Sequence, residues 1–292
     1  MLQNLISSVL TFLLALIPVG STQVASLPKD EVTILFTGDV MLGRSVMAES
    51  LDQNDNFYPF RKVSDFLKNA DITYVNLENP ITNGCKRHIG GFTFCTTPDI
   101  VKGLQDSGVD IVSLANNHSG NYGSEGLEET RGHLDGLGVK WVDGNNLEIL
   151  EVDGTKFGFL GFDYVYKGLN QKDIDLVKES DLKVDVLIIV PHWGEEYKAV
   201  ANRFQSETAK LMIDAGADAI VGSHPHWPQN YEEYQGKPIY YSLGNFIFDQ
   251  MWSEETKRGL IVKMTFEGKD LIKKEEFKTY MPKIGQPEII RE

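Results

Sequence analysis

Cysteine is nearly absent from this 292-residue chain, which carries two, Cys85 and Cys95. Neither has a CxxC neighbour, so a structural thiolate zinc knuckle is excluded. Positive charge is also scarce: 28 Lys and Arg stand against 42 Asp and Glu, a formal net charge of -14. Nucleic-acid binding depends on clustered cations that displace counterions from phosphates, so nucleic acid is not an expected partner. No apolar run reaches the roughly 20 residues that a bilayer span requires, and there is no internal repeat or low-complexity linker. Charge is missing altogether before Lys29, and Leu5 to Val19 is almost wholly apolar. Pro18 and Gly20 break that run, and Val24-Ala25-Ser26 offers small residues for cleavage. Residues 1–28 therefore read as a signal peptide or an N-terminal anchor, and the protein as exported, either secreted or tethered outside the cytoplasm. The absence of a cysteine after the run argues against a lipoprotein.

What remains is globular in composition, with 41% hydrophobic and 24% charged residues. A chain of this length buries roughly 75% of its unfolded surface and needs no metal to fold, so any metal here serves chemistry. Short apolar runs alternate with helix-like segments, the pattern of a layered α/β domain. Strands are expected at residues 32–37, 72–77, 111–115, 157–162, 184–190, 219–222 and 239–243. Helices are expected at 59–69, 98–107, 124–137 and 203–215, with Pro59 and Pro98 in first turns and Ser124 as a cap. Residues 259–277 alternate like antiparallel strands. The domain is thus placed at residues 29–280, with 281–292 as a loose tail. Cys85 and Cys95 flank a Gly-containing loop; in an exported protein they either pair, stabilising that loop by about 2–4 kcal/mol at best, or stay as free thiols.

The ends of the strands carry the chemistry. Asp39 follows the first in FTGDVMLG, Glu78 the second in YVNLENP, and Asn116-Asn117-His118 the third in VSLANNHSG. His192 and Glu195 follow a later strand in IIVPHWGEEY, and His224 and His226 the next in IVGSHPHW. Each has a plain alternative singly, since Asp after Gly serves turns and a His beside Trp193 packs. Together they should converge in the crevice beyond the carboxyl ends of the strands, where α/β sites form. His, carboxylate and amide-oxygen donors suit Mn, Zn or Fe, as one or two ions.

These motifs, with YYSLGNFIFDQ after them, resemble in order and spacing the bacterial capsule-synthesis protein family called CapA or PgsA, over residues 32–266. That family is associated with poly-γ-glutamate and is similar to calcineurin-like metallophosphoesterases, so the resemblance implies a single four-layer α/β/β/α sandwich with a metal site. Carried over by position, it implies Asp39, Glu78, Asn117, His192, His224 and His226 as metal ligands and His118 as the group assisting the leaving oxygen. Met41 stands where that wider group has a His, and Glu78 where it has a shorter Asp, which puts the first metal position in doubt.

The resulting expectation is a metal-dependent, phosphoesterase-like hydrolase in capsular polymer synthesis or export at the outer face of the membrane. Its partners would be an anionic polymer or phosphoester and membrane subunits of a capsule-synthesis complex. Glu195 is expected as a base beside His118 as proton donor. Arg44 and Arg258 are expected to meet substrate carboxylates, with Asn116, Trp193 and Trp227 lining the crevice. The alternatives are a non-catalytic polymer-binding or export subunit, and a hydrolase or isomerase of a different amide or phosphoester.

Overall fold

A computed structural model describes residues 31–290; the expected targeting segment, residues 1–28, lies outside them. Strands β1 (Glu31–Val40), β2 (Ile72–Leu77), β3 (Ile111–Ser113) and β4 (Lys140–Val142) open one sheet. The middle of the chain makes a second, from β5 (Glu148–Val152), β6 (Thr155–Asp163), β7 (Val186–His192), β8 (Ala219–Val221), β9 (Tyr231–Tyr234) and β10 (Lys237–Tyr240). The chain then returns to the first with β11 (Asn245–Ile247), β12 (Arg258–Glu267), β13 (Asp270–Lys283) and β14 (Gln286–Ile289). The orders are β14-β13-β12-β1-β2-β3-β4, with β11 also on β1, and β5-β6-β7-β8-β10-β9. Helices α1 (Arg44–Asp52), α2 (Ser64–Leu67), α3 (Pro98–Asp106) and α4 (Gly123–Leu137) accompany the first sheet, and α5 (Gln171–Asp181) and α6 (Arg203–Asp214) the second.

The period-two alternation of strand side chains sorts the apolar residues into three cores. Leu35 joins Val46, Leu67, Leu104 and Leu134 between the first sheet and its helices. Its neighbours Ile34 and Phe36 point the other way, meeting Phe159, Ile188 and Val221 between the sheets. Leu187 and Ile189 turn outward again to Val177, Ala209 and Met212 of α5 and α6. The result is the α/β/β/α sandwich. Because β1, β2 and β3 run parallel, as do β6, β7 and β8, each sheet gathers its carboxyl ends at one side.

Several local expectations need correction. Residues 59–69 do not form one helix; a 3-10 turn at Tyr58–Phe60 precedes the short α2. Tyr58, Pro59 and Phe60 are all buried, and a 3.6-residue period cannot bury three in a row on one stripe. Ser124 is not the cap of α4, whose N-cap position is Tyr122 with no side-chain cap. Helices α1 and α5 were missed, although Asn170 and Asp173 form a capping box that opens α5. Nor do residues 281–289 hang loose. Met281 is buried in the first core, Gly285 turns the chain at φ +64, and Gln286 Nε2 donates to Tyr58 O at 3.1 Å, so β13 and β14 complete the sheet past residue 280. Among the described residues no helix is long and apolar enough to cross a membrane.

Candidate metal centre

The end of β1 sets the first group. Its neighbour changes there from β12, paired up to Phe36, to β11, paired at Asp39 and Val40. The crossing is tight at Gly38, where an added Cβ would lie 1.8 Å from Gly244 O; only glycine lets the backbones meet. Asp39 is thereby fixed with no exposure at all. One of its oxygens lies 3.1 Å from His226 Nδ1, the other accepts from Asn76 Nδ2 at 2.9 Å.

Asn76 and Glu78 lie two apart on one strand course, so both side chains face the same way. Asn76 Nδ2 also donates to Glu78 Oε1 at 3.0 Å and sits 3.2 Å from His192 Nδ1. Its oxygen accepts from Asn116 Nδ2 at 3.3 Å, which fixes its orientation. Glu78 Oε2 is buried without any hydrogen-bond partner. Burial, then the charge of Asp39, pushes the Glu78 carboxyl well above the ordinary range. Burial also raises Asp39, but its bond to His226 and that ring's charge outweigh this and leave it lowered.

From the second sheet, His192 presents Nε2 to Asn117 Oδ1 at 2.9 Å and Nδ1 to Ser223 Oγ at 2.9 Å. Burial, then His224 and His226, lowers its pKa far below the usual imidazole value. The His224 ring is 4.8 Å from that of His192 and 6.1 Å from that of His226, and burial lowers it to about 4. His224 and His226 both hold positive φ, +98 and +58. Non-glycine residues rarely adopt this backbone, at a cost of order 1–3 kcal/mol, and such strain gathers at functional sites.

The donor set fits a divalent cation. Asp39, Glu78 and His226 bring ligand atoms within 4.8 Å of one another. Two buried carboxyl groups, an oxygen with nothing to bind, and the lowered imidazoles of His192 and His224 beside them are what a metal requires. Met41 is not a ligand in waiting: it is fully buried in the outer core and its sulfur accepts from Gly43 N at 3.1 Å.

His118 stacks on Phe94 with centroids 3.9 Å apart. Asn121 Oδ1 accepts from Phe94 N at 2.7 Å and lies 3.2 Å from His118 Nδ1, so Nδ1 carries the hydrogen and Nε2 the lone pair. Burial lowers the ring to about 4. The free ring is therefore neutral at neutral pH.

Other expected residues stand elsewhere. Trp193 is wholly buried in the core of the second sheet, donating Nε1 to Tyr241 O at 2.9 Å, and is no crevice wall. Asn116 spends its side chain on Asn76, Leu77 and its own turn. Arg44 is neutralised by Asp249 and lies 4.4 Å from the Phe94 ring centre. Arg258 sits exposed at the start of β12. Glu195 and Glu196 are both exposed, and it is the charge of Glu196 that reaches Glu78, His118 and His224. Trp227 stays at the rim, 6.3 Å from the Tyr197 ring, with its indole nitrogen buried and unpartnered. Cys85 and Cys95 form a disulfide. Missed by the sequence reading were Asn76, Ser223 and Asn245, whose Oδ1 is 3.0 Å from His226 Nδ1. For Asn76 the signal was present, two residues before Glu78.

A family model described as bacterial capsule synthesis protein PGA_cap matches residues 33–250. The capsule biosynthesis protein CapA of Bacillus anthracis is 33% identical over 261 residues, covering 80% of this chain and 63% of that one. The PGA biosynthesis protein CapA of Bacillus subtilis (strain 168) is 33% identical over 256 residues, with 80% and 67% covered. The chain thus spans about two thirds of the length of these relatives. A hypothetical protein from Thermus thermophilus, solved by crystallography, shares the fold at TM-score 0.57 and 19% identity, over 86% of this chain and 100% of that one.

Proposed function

The chain belongs to the bacterial capsule synthesis protein family PGA_cap, and on that premise we propose that it acts in synthesis or export of an anionic polymer of the poly-γ-glutamate type, through a metal-dependent, phosphoesterase-like hydrolytic centre. The observation that carries this reading is the meeting of Asp39, Glu78 and His226 in full burial, with one Glu78 oxygen left unpartnered. Asp39, Glu78, Asn117, His192, His224 and His226 would hold Mn, Zn or Fe. A bound divalent ion supplies hydroxide near neutral pH and steadies charge on a phosphoryl or carbonyl oxygen.

The chain's own residues do the rest. Asn76 keeps both carboxylates aimed inward through one amide group. His118 offers Nε2 to take a proton from water or substrate, and it returns that proton to the leaving oxygen. Phe94 shields one face of the ring from water. We place the protein outside the cytoplasm, secreted or tethered, beside membrane subunits of a capsule-synthesis complex; the Cys85–Cys95 bond supports this, because disulfides persist in oxidising compartments.

One observation favours a second reading, a non-catalytic polymer-binding or export subunit. Met41 fills the position of an expected imidazole and is committed to the core, which leaves the first metal position a ligand short. Metal content and turnover of an artificial phosphate ester decide between them. The hydrolytic reading expects stoichiometric metal, and turnover at least about 100-fold lower in Asp39→Ala and His224→Ala. A metal-free, inactive wild type that still retains poly-γ-glutamate would establish the second.

A further inference from the structure

The loop closed by Cys85 and Cys95 is unlike the rest of the chain in charge. No acid occurs from Asn79 to Pro98, whereas Lys86, Arg87 and His88 follow one another beside Ile89 and Phe92. Ile89 is 68% and Phe92 85% exposed. Single exposed apolar residues are ordinary, but these two share one loop and are held out rigidly. Arg44 Nη1 donates to Gly91 O at 3.0 Å and Ser45 Oγ to Ile89 O at 3.3 Å, so the loop backbone is tied down to the start of α1. The disulfide pins the base of the loop. Tyr122, 41% exposed, lies beside it with its hydroxyl 3.0 Å from Cys95 Sγ. At the inner end Phe94 stacks on His118, which sets the loop at the mouth of the centre.

We propose that loop 85–95 docks on an anionic bilayer, placing Ile89 and Phe92 among the lipid headgroups and Lys86 and Arg87 on their phosphates, so that the centre opens toward the membrane surface. The pairing of apolar tips with an acid-free basic run is what an interfacial element needs, since burial of apolar area and attraction to anionic lipid act together. A chain of net charge -14 is repelled by such a surface as a whole, and the acid-free run of this loop offsets that repulsion locally. Arg87 pairs with Asp52 across exposed surface, a contact that water screens and a lipid phosphate can replace. The apolar pair favours lipid over a polyglutamate chain, which has little to offer Phe92.

The test uses the full chain carrying Phe92→Trp and vesicles of brominated phosphatidylcholine with about one third phosphatidylglycerol. The emission added by that change, over the wild type, should fall about twofold or more with anionic vesicles. It should not fall with neutral ones, and Lys86→Glu with Arg87→Glu should abolish the effect. Phe92 is exposed, so folding is not at stake. Vesicle binding without quenching would overturn the proposal, because residues 1–28 could then hold the protein alone. A response to soluble poly-γ-glutamate in place of vesicles would overturn it too and make the loop a polymer site. Neither readout needs metal or turnover, so the outcome is independent of the hydrolytic reading.

Discussion

Asn76 donates 3.0 Å to Oε1 of Glu78, while the other oxygen of that carboxylate is buried with no partner. An ionised Glu78 therefore costs stability until a cation arrives. Glu78→Gln should raise the melting temperature in chelator by roughly 2–4 °C, about 1 kcal/mol at this size. Added Mn or Zn should raise it for the wild type only. Scanning fluorimetry with and without metal checks this, and an equal metal-induced gain in both proteins would contradict it.

Asn76 touches Asp39, Glu78 and His192 through one nitrogen. Asn76→Ala should weaken metal binding roughly 10–100-fold, as loss of a ligand-orienting partner does. It should also cost about 1–3 kcal/mol of stability through the buried groups left unpaired. Calorimetric titration and urea unfolding read the two effects separately.

Gly38→Ala would drive a methyl into Gly244 O, 1.8 Å from its ideal position. Backbone on both sides leaves no flexible neighbour to give way, so a loss above about 3 kcal/mol is expected. Metal uptake should fall with it, since Asp39 is the next residue. A urea midpoint within a few tenths of the wild type would show that β1 and β11 can separate.

Asp110 gives a pH test away from the centre. Burial, with Asp71 nearby, raises its carboxyl above 3.8, against the bond from Thr73 N at 2.8 Å. The folded protein then holds a proton the unfolded chain has lost, so the ionised group costs stability above the raised value and nothing below about 3.8. Asp110→Asn keeps the acceptor and should melt roughly one to two degrees higher at neutral pH. That gap should close as pH falls below the ordinary carboxylate range, as melting curves across pH will show.

The apolar run at 32–37 announced the first strand, and β2 runs over the residues expected of it. Turn and cap chemistry fared worse, because Ser124 satisfies a capping pattern while the chain enters α4 at Tyr122. Site residues followed the same division. Asp39, Glu78, His192, His224 and His226 stood out as a set, because ligand-type side chains ending several strands should converge in one crevice. Trp193 and Asn116 lay in equally suggestive places, and burial and hydrogen bonding took them elsewhere.

The sequence by itself determined the alternation of strands and helices, and its long ordered motifs determined the family, whose resemblance implied the four layers. It also determined which donor types wait at the strand ends. Only the tertiary structure decided which of them meet: Asp39 and His226 lie 3.1 Å apart across 187 residues, while Glu195 and Glu196, adjacent in sequence, divide so that the charge of the second reaches the centre. The reason is geometric. Ligand type is a property of a residue, but proximity, the direction of a side chain and the choice of Asp249 as the partner of Arg44 are set by how two sheets and their loops pack.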